Sequence, residues 1–65
     1  MVEIGQVWVH DRSGVEYTVL DITNKHAEEH KREKFPLMVT YSAADDHRRW
    51  TLPVWSFVES RTLKG

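Results

Sequence analysis

An antiparallel, all-β domain is what this sequence predicts, and three observations lead to it. Two runs rich in Val, Trp, Tyr, Thr and Ile flank the polar cluster Asp11-Arg12-Ser13-Gly14, the pattern of a β-hairpin with a short Gly-ended loop. Two further β-branched and aromatic runs follow, at residues 35–42 and 47–52. Between the two pairs, residues 24–34 contain no large apolar side chain and cannot supply a core face, and no amphipathic helical stripe appears anywhere.

The elements can be justified in chain order. Residues 1–4 are short and mildly apolar, and Gly5 frees the backbone for a turn or bulge. A first strand starts near Gln6, with Val7 and Val9 on one face and Trp8 and His10 on the other by the period of two. After the turn, Val15, Tyr17 and Val19 share one face, while Glu16, Thr18, Leu20 and Ile22 share the other, which becomes apolar only toward its end. A strand that changes its apolar face in this way is bent across a barrel corner. Residues 24–34 are expected to form a mobile, solvated loop with at most a helical turn, for which Asn24 is a suitable N-cap. The third strand, residues 35–42, tolerates Pro36 only at its start or on an edge, and points Leu37, Val39 and Tyr41 inward. Residues 43–46 read as a turn and 47–52 as a fourth strand with a basic start and Trp50 packed in the core. Pro53 ends that strand by removing a donor, a helical turn and a short last strand continue from Val54, and residues 60–65 are expected to be a polar, frayed tail. Four to five short strands with one long polar loop make a small SH3-like barrel the expected architecture, one domain over residues 1–65. An OB-fold normally needs a longer chain and a helix between strands.

Composition narrows the functions open to such a domain. A chain of 65 residues removes only about 60% of its unfolded surface from water, so a large enclosed active site is not expected. Without cysteine there is neither a disulfide nor a thiolate metal site, which suits a reducing compartment. Nine Lys and Arg against ten Asp and Glu provide no long-range attraction to nucleic acid or anionic membrane. No window approaches the ~18 apolar residues of a membrane span and no signal-peptide pattern opens the chain, so the expectation is a cytoplasmic protein.

The residues Gly5-x-x-Trp8-x-His10-x-x-x-Gly14-x-x-Tyr17-x-Val19-Leu20-x-Ile22, then Val39-x-Tyr41, then Trp50-x-x-Pro53-Val54-x-x-Phe57, form a pattern spanning most of the chain. It resembles a family of small bacterial and phage domains of unknown function. In those domains a G-x-Y-x-H-x-x-G-x-x-Y-x-V-L hairpin precedes a V-x-Y strand and a W-x-R-P-L-x-x-F ending. The resemblance implies a compact β-barrel-like fold and a phage or prophage origin. Its motifs are turn and core residues, and nearly silent about activity. Leu52 stands where that pattern has Arg, and the charged loop over residues 24–34 is longer.

Three groups of residues bear on chemistry. His26-Ala27-Glu28-Glu29-His30 has the H-x-x-E-H spacing of some zinc peptidases, but a catalytic zinc needs a third protein ligand and a rigid scaffold, and the bland reading is a solvated charge run. His47, Arg48 and Arg49 together with Lys31, Arg32 and Lys34 can form a basic rim, beside which an exposed Trp8, Trp50 or Trp55 would stack on a base. Interleaved Glu28, Glu29, Glu33, Asp45 and Asp46 lower that potential, and the sequence favours a salt-bridged surface above buried tryptophans. His10, beside the hairpin turn, suits a structural group bridging backbone atoms more than a catalyst.

The expectation is therefore a non-enzymatic binding protein, phage or prophage encoded, that associates stoichiometrically with a host protein or small ligand and serves, for instance, in counter-defence. It requires no cofactor and no metal. Its binding residues are expected to be Trp55, His47, Arg48, Arg49, His10, Lys31 and Arg32, and edge pairing makes a homodimer a natural outcome. The alternative is a nucleic-acid- or nucleotide-binding SH3-like barrel using the same basic residues.

Overall fold

The computed structural model describes residues 1–24 and 36–65. Within them the elements run β1 (Val7–His10), β2 (Glu16–Thr23), β3 (Met38–Ala43), β4 (Arg49–Pro53), α1 (Val54–Glu59) and β5 (Arg61–Leu63). All five strands lie in one antiparallel sheet of order β4-β3-β2-β1-β5. The fold is all-β and barrel-like, with the short helix packed against β3, β4 and β5.

The first hairpin closes as its residues dictate. Gly14 adopts φ 74°, a left-handed conformation that costs glycine little, and its N–H donates to the His10 carbonyl at 2.9 Å. The His10 ring supports the same turn, its Nδ1 accepting the N–H groups of Arg12 and Ser13 at 3.3 Å each. At the other end Gly5, at φ 91°, turns the N-terminal segment so that its N–H reaches the Val19 carbonyl at 2.9 Å. That turn folds Val2 back into the core, where it is buried.

The change of apolar face along β2 has a specific cause. Val19 pairs with Tyr41 and Asp21 pairs with Thr40, so Leu20 is an extra residue with no partner in β3. Such a bulge shifts the side-chain alternation by one. Ile22, which strict alternation puts opposite Val19, thereby joins Val19 on the core side, and Leu20 is left exposed.

The core face carries Trp8, Val19, Val39, Tyr41 and Phe57, with Tyr17, Ile22, Trp50, Leu52 and Val54 packed around them. Phe57 and Val39 are both 0% exposed. Phe57 meets Trp8 edge-on at 5.6 Å and Tyr41 at 4.9 Å between ring centroids. Trp50 stacks on Tyr41 at 5.9 Å, with an interplanar angle of 25°. It is only part-buried, as expected of a residue on an outer strand.

Residues 60–65 are not a frayed tail. Arg61–Leu63 forms β5, registered on β1 as His10 to Arg61, Val9 to Thr62 and Trp8 to Leu63. Bonds continue beyond it, from Lys64 N–H to the Val7 carbonyl at 2.8 Å and from Val7 N–H to the Gly65 carbonyl at 3.1 Å. Thr62 donates to Asp11 Oδ1 at 2.7 Å, and Lys64 Nζ bridges both Glu16 oxygens at 2.9 Å. Polarity misleads here because an outer strand shows one face to water, and its inward position is filled by a cation.

That cation is Arg61. Its guanidinium carbon lies 4.9 Å from the Tyr17 ring centre, 5.0 Å from Tyr41 and 4.8 Å from Phe57. One Nη donates to the Phe57 carbonyl at 3.3 Å and to Ser60 Oγ at 3.2 Å, satisfying one of the carbonyls left open at the end of α1. The other reaches the Tyr41 hydroxyl at 3.4 Å, and no carboxylate pairs with Arg61 among the described residues. Its Nε is buried without a hydrogen-bond partner among the described residues, so the ring faces supply the electrostatic compensation. Burial raises the pKa of the Tyr41 hydroxyl, an effect the nearby Arg61 charge partly opposes.

Phe57→Ala should lower stability by about 3–5 kcal/mol and the less buried Trp50→Ala by about 3 kcal/mol, as urea unfolding midpoints would show. An unchanged midpoint in the Phe57 variant would contradict this core.

Candidate functional site

Two surface depressions of about 360 Å³ each lie at opposite ends of the β3–β4 hairpin. The first is set up by the entry into α1. Pro53 closes β4, and no side chain caps the helix. Instead the Val54 N–H donates to the Leu37 carbonyl at 2.9 Å, which draws the chain just before β3 against the helix start. Pro36, Leu37, Val54 and Trp55 line the resulting cleft, an apolar set without a charged group. Helical periodicity then decides which side chains remain outside. Because Val54 and Phe57, three apart, pack inward, Trp55 and Val58 face outward. Trp55 is 64% exposed, and its ring has no aromatic or hydrogen-bond partner among the described residues.

Pro36, on this cleft, is also tied to the end of β2. Asn24, at φ 66°, donates its side-chain amide to the Pro36 carbonyl at 2.8 Å, clasping the two described ends together. Asn is a residue that tolerates such a positive φ, and the helical turn it is expected to cap lies outside the described residues.

The second depression is polar and lies on the sheet face away from the core. Thr18, Ser42 and Arg49 stand in one row across β2, β3 and β4, since Thr18 pairs with Ser42 and Ser42 with Arg49. His47 and Asp46 border it from the β3–β4 turn, and Leu20, Ala43 and Ala44 complete its wall. Asp46 is fully committed to Arg48. Its Oδ1 accepts the Arg48 backbone N–H at 2.9 Å, and its Oδ2 accepts Nε at 2.8 Å and Nη2 at 2.7 Å. The side-chain hydrogen bond first, then the backbone one, hold the Asp46 carboxyl below the usual carboxylate range, and the same pairing raises Arg48. Arg48 also lies 5.4 Å over the Trp50 ring.

The expected binding residues are thus distributed rather than gathered. Trp55 lies in the apolar cleft, whereas His47 and Arg49 border the polar groove and Arg48 is tied to Asp46 beside it. From Arg49 to Pro53 the strand rise alone amounts to about 13 Å, so His47, Arg48 and Arg49 do not rim Trp55. His10 sits at the hairpin turn, held by two backbone donors. Lys31 and Arg32 lie outside the described residues, as does the His26–His30 spacing. Sequence reasoning missed Thr18, Ser42 and Leu20 on the polar side, and Pro36, Leu37 and Val54 on the apolar side. Only the strand register, with its bulge, and the Val54 to Leu37 bond bring them together.

Comparison with protein-family models, curated proteins and solved structures returned no match. Among the described residues, no helix is long and apolar enough to cross a membrane.

The Asp46 to Arg48 pairing has a direct readout. In Arg48→Gln the Asp46 carboxyl should titrate at higher pH, nearer the ordinary value of about 3.9, as followed by carboxyl ¹³C shifts. In the wild type the pair is intact at neutral pH and is lost as pH falls through the depressed Asp46 pKa. An identical titration in both proteins would contradict the pairing.

Proposed function

We propose that this chain is a small non-enzymatic binding protein that acts by stoichiometric association with a host protein, in the cytoplasm of a bacterial host. A phage or prophage origin, and counter-defence as its setting, rest on the sequence resemblance alone. The observation that carries the binding reading is the apolar cleft at Pro36, Leu37, Val54 and Trp55, with Trp55 64% exposed. Aromatic side chains left open beside an apolar depression are what protein contacts use as anchors, because a large flat surface leaves water at small entropic cost. Leaving such a ring outside has a cost in solubility, and an occupied cleft removes it.

Continuity of the surface favours a protein partner over a small molecule at this position. Val58 lies one turn along the same outward side of α1, and β4 is an outer strand whose far edge pairs with no other strand among the described residues. A partner segment can therefore contact the helix and add to the sheet edge together. A second copy of the chain meets the same requirement, which makes a homodimer the competing association. Nucleic-acid binding is the weaker reading, since Asp46 neutralises Arg48 and Arg49 lies at the opposite end of the hairpin from the exposed ring.

The test is affinity capture from host lysate with wild type and Trp55→Ala side by side, with sedimentation of the purified protein and oligonucleotide titration at two salt concentrations. The expected result is a stoichiometric protein partner whose recovery falls at least about tenfold in Trp55→Ala, the loss of one anchor worth at least about 1.4 kcal/mol. Salt-sensitive oligonucleotide binding without any protein partner would replace this reading with the nucleic-acid one.

A further inference from the structure

We propose that the polar groove on the open face of the sheet is a binding site for the phosphate group of a small ligand, separate from the Trp55 cleft. The argument starts from register. Antiparallel pairing puts Thr18, Ser42 and Arg49 side by side on three adjacent strands, at spacings of about 4.5–5.5 Å between neighbouring Cα atoms. Two hydroxyls and a guanidinium in one row present donors along a line no longer than a small phosphate ester. His47 enters from the adjoining turn and adds an imidazole to the same border.

Each of these four side chains has its hydrogen-bonding capacity unspent. Thr18, Ser42, His47 and Arg49 make no side-chain hydrogen bond or ion pair among the described residues. Their neighbours on the same face behave differently: Thr40 and Thr51 bond each other at 3.0 Å, and Lys64 is held by Glu16. The groove thus gathers four side chains that are unpaired among the described residues. Its one carboxylate, Asp46, would ordinarily repel an anion or capture Arg49. Arg48 instead holds both Asp46 oxygens and offsets that charge. Arg49 is then the one arginine on the groove without an ion-pair partner among the described residues.

Shape matches the chemistry. Ala44 at the turn has almost no side-chain volume, which opens the depression, and the bulged Leu20 supplies an apolar wall beside the polar row. A volume of about 360 Å³ is near the low end for small-molecule sites, which run from roughly 300 Å³ upward. Arg49 would take two phosphate oxygens with its planar fork, the hydroxyls would donate to the third, and Leu20 would cover an organic substituent. A free phosphate ion and a phosphate monoester share this headgroup chemistry and differ in the contact with Leu20.

The experiment is a ¹H–¹⁵N titration of the whole protein with inorganic phosphate and, separately, phenyl phosphate, with sodium chloride at matched ionic strength as control. Saturable shifts are expected at the amides of Thr18, Ser42, Ala44 and Arg49. Phenyl phosphate should bind more tightly than phosphate if an ester is the natural ligand, and equally if the free ion is. Arg49→Gln should weaken binding at least about tenfold, as losing a charged hydrogen bond implies, while Arg12→Gln, at the hairpin turn, should not. Thr18→Val combined with Ser42→Ala gives a second variant, and the spectra themselves report whether each protein is folded. Shifts that do not saturate, that chloride reproduces, or that survive both variants would overturn the proposal.

Discussion

The packing of Arg61 on three aromatic rings is the interaction the rest of this fold leans on. The sheet runs from β4 to β5 without those two strands pairing, so the core has an open side that hydrogen-bonded strands do not close. α1 covers that side by inserting Phe57, and Arg61 locks the cover in place from β5. A guanidinium is costly to bury without a carboxylate, yet it is more weakly hydrated than an ammonium and planar enough to lie on ring faces. Cation–π contacts reach about 2 kcal/mol or more when desolvated, which makes three of them a workable substitute for an ion pair. The Phe57 carbonyl bond adds a helix cap, so one side chain joins helix, last strand and core.

This mode of closure determines which surfaces remain open. With Phe57 and Val54 directed inward, Trp55 and Val58 have no inward place left to go. The apolar cleft is therefore a consequence of how the sheet is sealed, joined to β3 through the Val54 to Leu37 bond. The polar groove has an independent origin, in the bulge at Leu20 and the register of β2, β3 and β4. Two depressions of opposite character thus lie at the two ends of one hairpin.

Much of this was legible in the residues. Alternation and turn chemistry located β1, β2 and the hairpin between them, and the face change along β2 was visible as an anomaly whose cause is the bulge at Leu20. Pro53 marked the end of β4, and the hydrophobic pattern placed Val39, Tyr41 and Trp50 correctly on one side. What stayed hidden depends on long-range geometry. Arg61 lies in a polar stretch that local composition assigns to solvent, and only its pairing opposite His10 turns it inward. Val2 likewise looked peripheral until the turn at Gly5 folded it back. The basic run His47-Arg48-Arg49 looked like one patch, but β4 begins only at Arg49, and Asp46 takes Arg48 out of the set.

The central claim is that Arg61 seals the sheet, and the most direct measurement is urea unfolding of Arg61→Ala together with hydrogen exchange of the β1–β5 amides. The expected result is a loss of about 2–3 kcal/mol, with the Lys64 and Asp11 amides, which bond to Val7 and Ser60, losing more protection than those of the β2–β3 ladder. Arg12→Ala, on the exposed turn, should change neither quantity. A wild-type midpoint and unchanged protection in Arg61→Ala would contradict the account.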